Sequence, residues 1–211
     1  MRVANCGTMH EALEVFSSFA SSVGLRLSDS QRESLKVGAA WLATAARASG
    51  LSQYRDPGSA LLRAMGPALS YFAFDTMPRT GIVADLGSGS GAVGATIALL
   101  APELQIHLVD RAKRAYTAAE LLVSRMRLVN ATPVNADIGQ LQQLYDGVVF
   151  RALAPGPEAL AAAARILRPH GYLGAFHRVG DSSFQSPVEP LRVVGTSATT
   201  LPELSITCYR R

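Results

Sequence analysis

The stretch Ile82-Val83-Ala84-Asp85-Leu86-Gly87-Ser88-Gly89-Ser90-Gly91-Ala92-Val93-Gly94 constrains what this chain can fold into more than any other. A short apolar run reads as a buried strand, a glycine-rich turn follows, and the Ala/Leu-rich segment Ala92–Leu100 reads as a helix. Glycines permit a tight turn and close approach of backbone to a ligand, and the N-terminus of the next helix presents free N–H groups. A strand–loop–helix unit of this kind holds a nucleotide-like molecule.

Elements of the same type surround it. Leu13, Phe16, Phe19, Ala20 and Val23 recur at helical spacing over residues 8–24, and Ser28-Asp29-Ser30-Gln31 opens a second helix expected to run to Gly50. Asp56-Pro57-Gly58 marks a turn, and a third helix from about Ser59 has to accommodate Gly66-Pro67. From Gly81 onward strands are expected at Ile82–Ala84, Gln105–Val109, Val134–Ala136, Gly147–Phe150 and Tyr172–Phe176. A turn at Asn130–Pro133 precedes the third, and a last pair lies around Leu191–Val194 and Leu204–Tyr209. Helices at Ala92–Leu100, Lys113–Val129 and Pro157–Leu167 separate them, the last with proline at its favoured first position. This alternation predicts an α/β fold, a Rossmann-like domain over 81–211 whose mostly parallel sheet is covered on both faces, with an N-terminal helical region over 1–80. Ligands of such sheets bind beyond the carboxyl ends of the strands, where Asp85, Asp110, Asp137 and Arg151 fall.

Composition excludes several classes. Hydrophobic residues make up 48% and charged residues 17% of the 211, which describes a globular protein with a core. Cys6 and Cys208 stand at opposite ends without a CxxC partner, and His10, His107, His170 and His177 share no metal-ligand spacing, so no disulfide framework and no metal site are expected. No apolar run reaches the ~18–20 residues of a membrane span, and no basic segment precedes an apolar h-region, so a cytoplasmic protein without membrane contact is expected. The net charge of +4 comes almost entirely from arginine. It suits a polyanionic partner, and equally an Ala/Arg-rich composition with no such partner.

Gly89-Ser90-Gly91-Ala92-Val93-Gly94 also satisfies G-x-G-x-x-G, with Asp110 nearly 20 residues on, so a dinucleotide has to be weighed. Asp85 stands just before the first glycine, where a pyrophosphate gains nothing from a negative charge but a cationic sulfonium with its amino-acid tail does. Asp110 can accept hydrogen bonds from both ribose hydroxyls. Arg168-Pro169-His170-Gly171 before a strand resembles the bend common in methyltransferases of this fold. No Gly-Lys-(Ser/Thr) follows the loop, which excludes a P-loop. These residues favour S-adenosylmethionine as the cofactor.

Four segments in order resemble the GidB/RsmG-type methyltransferases, which modify guanine N7 in small-subunit (16S) ribosomal RNA. They are Gly50-Leu51-Ser52-Gln53-Tyr54-Arg55-Asp56-Pro57, Asp85–Gly91, Leu108-Val109-Asp110 with Lys113-Arg114, and Tyr145–Ala152. The resemblance implies a class I S-adenosylmethionine-dependent methyltransferase fold with a seven-stranded sheet. It implies a donor site at Asp85, Gly87, Ser88, Gly89, Gly91 and Ala92 of the loop, with Asp110 and Arg111 beyond the second strand. The adenine is then expected near the backbone of Ile138 and Gly139 beside Asp137, with Arg151 lining the cleft between donor and substrate. Lys113 and Arg114 either face phosphate or begin a solvated helix.

The chain departs from the family pattern on the substrate side. Arg63-Ala64-Met65-Gly66-Pro67-Ala68 stands where the family has Arg-His-x-x-Asp-Ser, Asp137-Ile138-Gly139-Gln140 replaces Arg-Ala-Glu-Glu, and His177-Arg178 replaces Lys-Gly. Three functions therefore stay open: a guanine-N7 methyltransferase of ribosomal RNA, a paralogue methylating a heteroatom of a small molecule, and a non-catalytic RNA- or protein-binding module that keeps the fold. Guanine N7 exposes a lone pair and needs no general base, which leaves Arg151 as the catalytic-side candidate to orient the base. An acceptor carrying a proton needs a base, and His177 is the residue for that role.

Overall fold

The computed structural model describes residues 8–151, 153, 156–185 and 188–211. Cys6 and Ala152, which entered the expectations above, lie outside the described residues.

Helix α1 (Met9–Ser22) opens with a capping box between Thr8 and Glu11, and α2 (Asp29–Ala43) with another between Ser28 and Gln31. The second helix does not reach Gly50. It breaks at Thr44, whose hydroxyl turns back to donate to the Ala40 carbonyl at 2.8 Å, and a single turn, α3 (Ala45–Ala48), follows. Side chains of this type compete with the helical ladder. The third helix starts earlier than Ser59, as α4 (Pro57–Ala60), because Asp56 accepts the Ser59 N–H and Pro57 takes the first helical position. It continues as one π-helical turn, Leu61–Met65, and a 3-10 stretch, Gly66–Ala73. Pro67 can neither donate an N–H nor tolerate the carbonyl four residues back in α geometry, so the change of helix type falls where the sequence requires it.

Seven strands form one sheet in the order β3-β2-β1-β4-β5-β7-β6. They are β1 (Gly81–Leu86), β2 (Leu104–Asp110), β3 (Ala131–Asn135), β4 (Tyr145–Arg151), β5 (Leu167–Arg178), β6 (Arg192–Ala198) and β7 (Leu204–Arg210). The first five pair in parallel, joined in part by helices α5 (Ala92–Leu100), α6 (Lys113–Met126) and α7 (Gly156–Ile166), while β7 runs antiparallel to both β5 and β6.

Four boundaries differ from expectation. Strand β3 occupies much of the segment read as a turn, with Pro133 inside it. Because β3 is an edge strand paired only with β2, the missing proline N–H costs no ladder bond. Asn130, also read as a turn residue, is a buried clamp whose amide donates to the carbonyls of Ala98, Ala101 and Leu104. Helix α6 stops at Met126, where Arg127 turns left-handed at φ 54°, and β6 runs on to Ala198 through a polar sequence that only its pairing with β7 holds extended. The bend at Arg168–Gly171 sits inside β5 as an irregularity in its pairing with β4, His170 taking φ 67°.

Two apolar cores flank the sheet, and alternate residues of the central strands divide between them. Val83 and Val149 face the larger core with α5, α6 and the N-terminal helices, whose Phe16, Leu35, Leu42, Leu62 and Met65 are fully covered. Ala84, Leu86, Val148 and Phe150 face α7. The N-terminal helices thus share a core with α5 and α6 and hold their C-terminal part, with Tyr54 and Arg63, against the carboxyl edge of the sheet.

Candidate functional site

The glycine loop is built by backbone bonds. Gly87 and Ser88 both donate their N–H groups to the Val109 carbonyl, at 2.9 and 3.1 Å, which ties the end of β1 to the end of β2. Gly91 donates to the Ser88 carbonyl at 2.8 Å. Gly87 and Gly91 hold φ of 66° and 80°, a region side chains disfavour, so the turn requires glycine at both positions. A Cβ on Gly94 would collide with Leu108 and lie 2.8 Å from the Asp85 carboxylate, so this third glycine lets α5 close onto the sheet.

Asp85 is only 3% exposed. Its Oδ2 accepts the Gly94 N–H at 2.8 Å. Burial pushes its pKa up to about 7, against the lowering effect of that N–H and of the Arg151 guanidinium. Asp110 stands on the other side of the loop. Its Oδ2 accepts from Gly89 N–H at 3.0 Å and its Oδ1 from Ala112 N–H at 2.9 Å, which aims the carboxylate and leaves lone pairs for further donors.

A cavity of about 410 Å³ opens beyond the ends of β1, β2 and β3, lined by Gly87, Val109, Asp110, Arg111, Ala136, Asp137 and Ile138, with Leu153 and Glu158, Ala159 and Ala162 of α7. Five residues expected at a donor site (Gly87, Asp110, Arg111, Asp137 and Ile138) meet here. Gly91 and Ala92 are buried beneath the loop, Gly89 is half-buried, and Gly139 is exposed, donating to Asp137 at 2.8 Å. Asp85 lies outside this lining. The α7 wall and Arg165, which donates to the carbonyls of Ile138 and Leu141 and so fixes the Asp137–Leu141 turn, had no signal in the sequence. The residues present fit S-adenosylmethionine. The Asp110 carboxylate faces a space walled by Ile138, Leu153, Ala159 and Ala162, and the buried Ser88 hydroxyl has no hydrogen-bond partner among the described residues.

A second cavity, of about 470 Å³, lies beyond β4 and β5. Arg151, Phe176, His177, Arg178, Asp181 and Phe184 line it from the sheet side, Gln53, Tyr54 and Arg63 from the helical region, and Leu201 and Glu203 of the β6–β7 connection with Leu204 at the start of β7 complete it. Leu86 and Phe150 are register partners, so Arg151 and Gly87 stand at neighbouring strand ends and link the two cavities. Arg151 donates from Nη1 to the Arg63 carbonyl at 3.3 Å. Pro67, four positions on, has no N–H to offer that carbonyl in α-helical geometry. Arg63 in turn pairs with Glu203 at 2.6 Å.

His177 is 9% exposed and stacked on Phe184, ring centroids 4.8 Å apart. Its Nδ1 lies 2.9 Å from the Arg178 carbonyl, an acceptor only, so Nδ1 donates there, and its Nε2 is hydrogen-bonded to the Thr207 hydroxyl at 2.8 Å. Both ring nitrogens are engaged. Lys113 and Arg114 are exposed at the start of α6, where Lys113 lies over the Tyr116 ring, 4.2 Å from its centroid. Cys208 is a buried free thiol in β7, and no helix among the described residues is long and apolar enough to cross a membrane.

Known proteins match along much of this framework. A protein named ribosomal RNA small subunit methyltransferase G from Chlorobaculum tepidum is 33% identical over 43% of this chain, a match that spans less than half, 42%, of that relative. The protein of the same name from Burkholderia multivorans is 28% identical over 88% of this chain and 84% of its own. In three dimensions, coclaurine N-methyltransferase superposes with a TM-score of 0.56 over 90% of this chain and 66% of its own, at 17% identity, which shows a shared fold. The GidB profile, described as rRNA small subunit methyltransferase G, matches residues 31–182, from α2 to just beyond β5. The chain therefore belongs to the GidB family of methyltransferases and has the Rossmann-like fold of S-adenosylmethionine-dependent enzymes.

Proposed function

We propose that this protein transfers the methyl group of S-adenosylmethionine to N7 of a guanine in small-subunit ribosomal RNA. The observation that carries the reading is the pair of neighbouring cavities at the carboxyl edge of the sheet. One is lined by Asp110 and Gly87 of the glycine loop, the other by three arginines and two carboxylates, with Arg151 at their junction. When bound, S-adenosylmethionine supplies a methyl carbon on a positively charged sulfur. Asp110 would accept the ribose hydroxyls, Ile138 with the apolar wall of Leu153 and Ala159 would hold the adenine, and the loop backbone beyond Gly87 would hold the amino-acid end, with the unpartnered Ser88 hydroxyl as a further donor.

S-adenosylmethionine would supply its methyl group to a ring nitrogen by in-line displacement, with the residues of the two cavities aligning acceptor and donor. No proton leaves N7, so alignment is the main requirement. In this reading Arg151, held by the Arg63 carbonyl, donates to O6 of the base. The engagement of both His177 nitrogens agrees with chemistry that needs no base. Arg178, which lines the same cavity and has no carboxylate partner among the described residues, suits a phosphate beside a flipped-out nucleotide. A ribosomal substrate places the enzyme in the cytoplasm.

The test is transfer of labelled methyl to small ribosomal subunits that lack this modification, followed by digestion to nucleosides. Label in 7-methylguanosine is expected. Measurable donor binding with no label in the RNA would overturn the ribosomal reading in favour of a small-molecule acceptor, and absence of donor binding would overturn both.

A further inference from the structure

Two carboxylates line the second cavity, and they differ in what remains free. Glu203 is committed to Arg63 at 2.6 Å. Asp181, just beyond β5, receives the Ser183 N–H at 3.0 Å and the Ser183 hydroxyl at 2.6 Å, both on Oδ1. Its Oδ2 has no partner among the described residues, so both lone pairs on that atom are available. Ser183 is wedged against the start of α7, where a Cβ on Gly156 would collide with it, so the cap that orients Asp181 is braced by the fold. The two Ser183 bonds hold the Asp181 carboxyl below its ordinary range, which keeps it anionic at neutral pH.

We propose that Asp181 reads the Watson–Crick edge of the acceptor guanine, an inference that rests on the guanine-N7 reading above. Guanine presents N1–H and N2–H side by side on that edge, two donors for one free carboxylate oxygen. Adenine presents the N1 lone pair at the same place, which an anionic oxygen repels. With this edge held by Asp181, the N7/O6 edge on the other side of the purine is left for Arg151 and the donor cavity. Phe176, Phe184 and Tyr54 line the same cavity and add apolar surface to it. Asp181 is thus a specificity residue for the base, outside the donor site.

The informative variant is Asp181→Asn. Its Oδ1 keeps both bonds from Ser183, so the cap survives, while Nδ2 turns the free acceptor into a donor facing the guanine N–H groups. Calorimetry with guanosine monophosphate and inosine monophosphate as probes reads recognition without turnover, because inosine lacks only the N2 amine. The wild-type protein is expected to prefer guanosine monophosphate, and Asp181→Asn to lose that preference, together with on the order of 10- to 100-fold in kcat/KM for methylation of ribosomal subunits. Donor affinity is expected to stay unchanged. An equal affinity of the wild type for the two nucleotides, or a preference that survives Asp181→Asn, would overturn the proposal. A nucleotide preference that depends on Asp181 without any methylation of subunits would instead sink the ribosomal reading and leave guanine recognition standing.

Discussion

Replacing Asp85 by asparagine tests the electrostatics beneath the glycine loop. In the folded protein the carboxyl is 3% exposed and titrates at about 7, against 3.8 for the ordinary group. The folded state therefore holds a proton that the unfolded chain has released between those two values. The sign follows from linkage: stability is greatest below the unfolded value and is lost as pH rises toward 7, where the ionised carboxylate must stay buried. At 1.36 kcal/mol per pH unit, the full penalty above the folded value is about 4 kcal/mol. Asparagine keeps an oxygen for the Gly94 N–H but never ionises, so it escapes the penalty. Urea unfolding of the donor-free proteins is expected to show Asp85→Asn more stable than wild type, with the gap widening by about 2 kcal/mol between about pH 5.5 and pH 8. Stability curves that run parallel across that range would refute the buried, proton-holding carboxyl. So would a variant less stable than wild type at the higher pH.

Two other outcomes bear on the site. Asp110→Ala is expected to weaken S-adenosylmethionine binding by on the order of 100-fold, because two charge-assisted hydrogen bonds to ribose are lost. Calorimetry with circular dichroism as a folding control measures it, and unaltered affinity would remove Asp110 from the donor site. For His177→Gln, the kcat–pH profile is expected to match that of wild type around neutrality, since Thr207 and the Arg178 carbonyl occupy both ring nitrogens. Disappearance of an acidic limb in the variant would instead make His177 a general base, and with it would point to an acceptor that carries a proton.

Much of the site was legible because its signals are local. The apolar run of β1, the spaced glycines, the aspartates at the ends of β1 and β2, and Arg151 at the end of β4 each follow from a few adjacent residues. The elements that misread are those whose identity depends on a distant partner. Asn130–Pro133 has turn chemistry, and becomes clamp and strand only because β2 offers an edge and three carbonyls converge on the Asn130 amide. Residues Gly195–Ala198 carry no apolar alternation and are extended only because β7 pairs with them.

By itself the sequence determined the α/β alternation, the glycine loop with its flanking carboxylates, and the proline that forbids an α-helical Arg63–Pro67 bond, because each rests on the conformational limits of neighbouring residues. Only the tertiary structure decided how those pieces become a site. It turned the Arg63 carbonyl toward Arg151, engaged both nitrogens of His177, put α7 along the wall of the first cavity and, among the described residues, left one oxygen of Asp181 without a partner. Each of these depends on groups far apart in the chain whose positions are set by burial of the two cores, and hydrogen bonds between such groups form only once packing has brought them together.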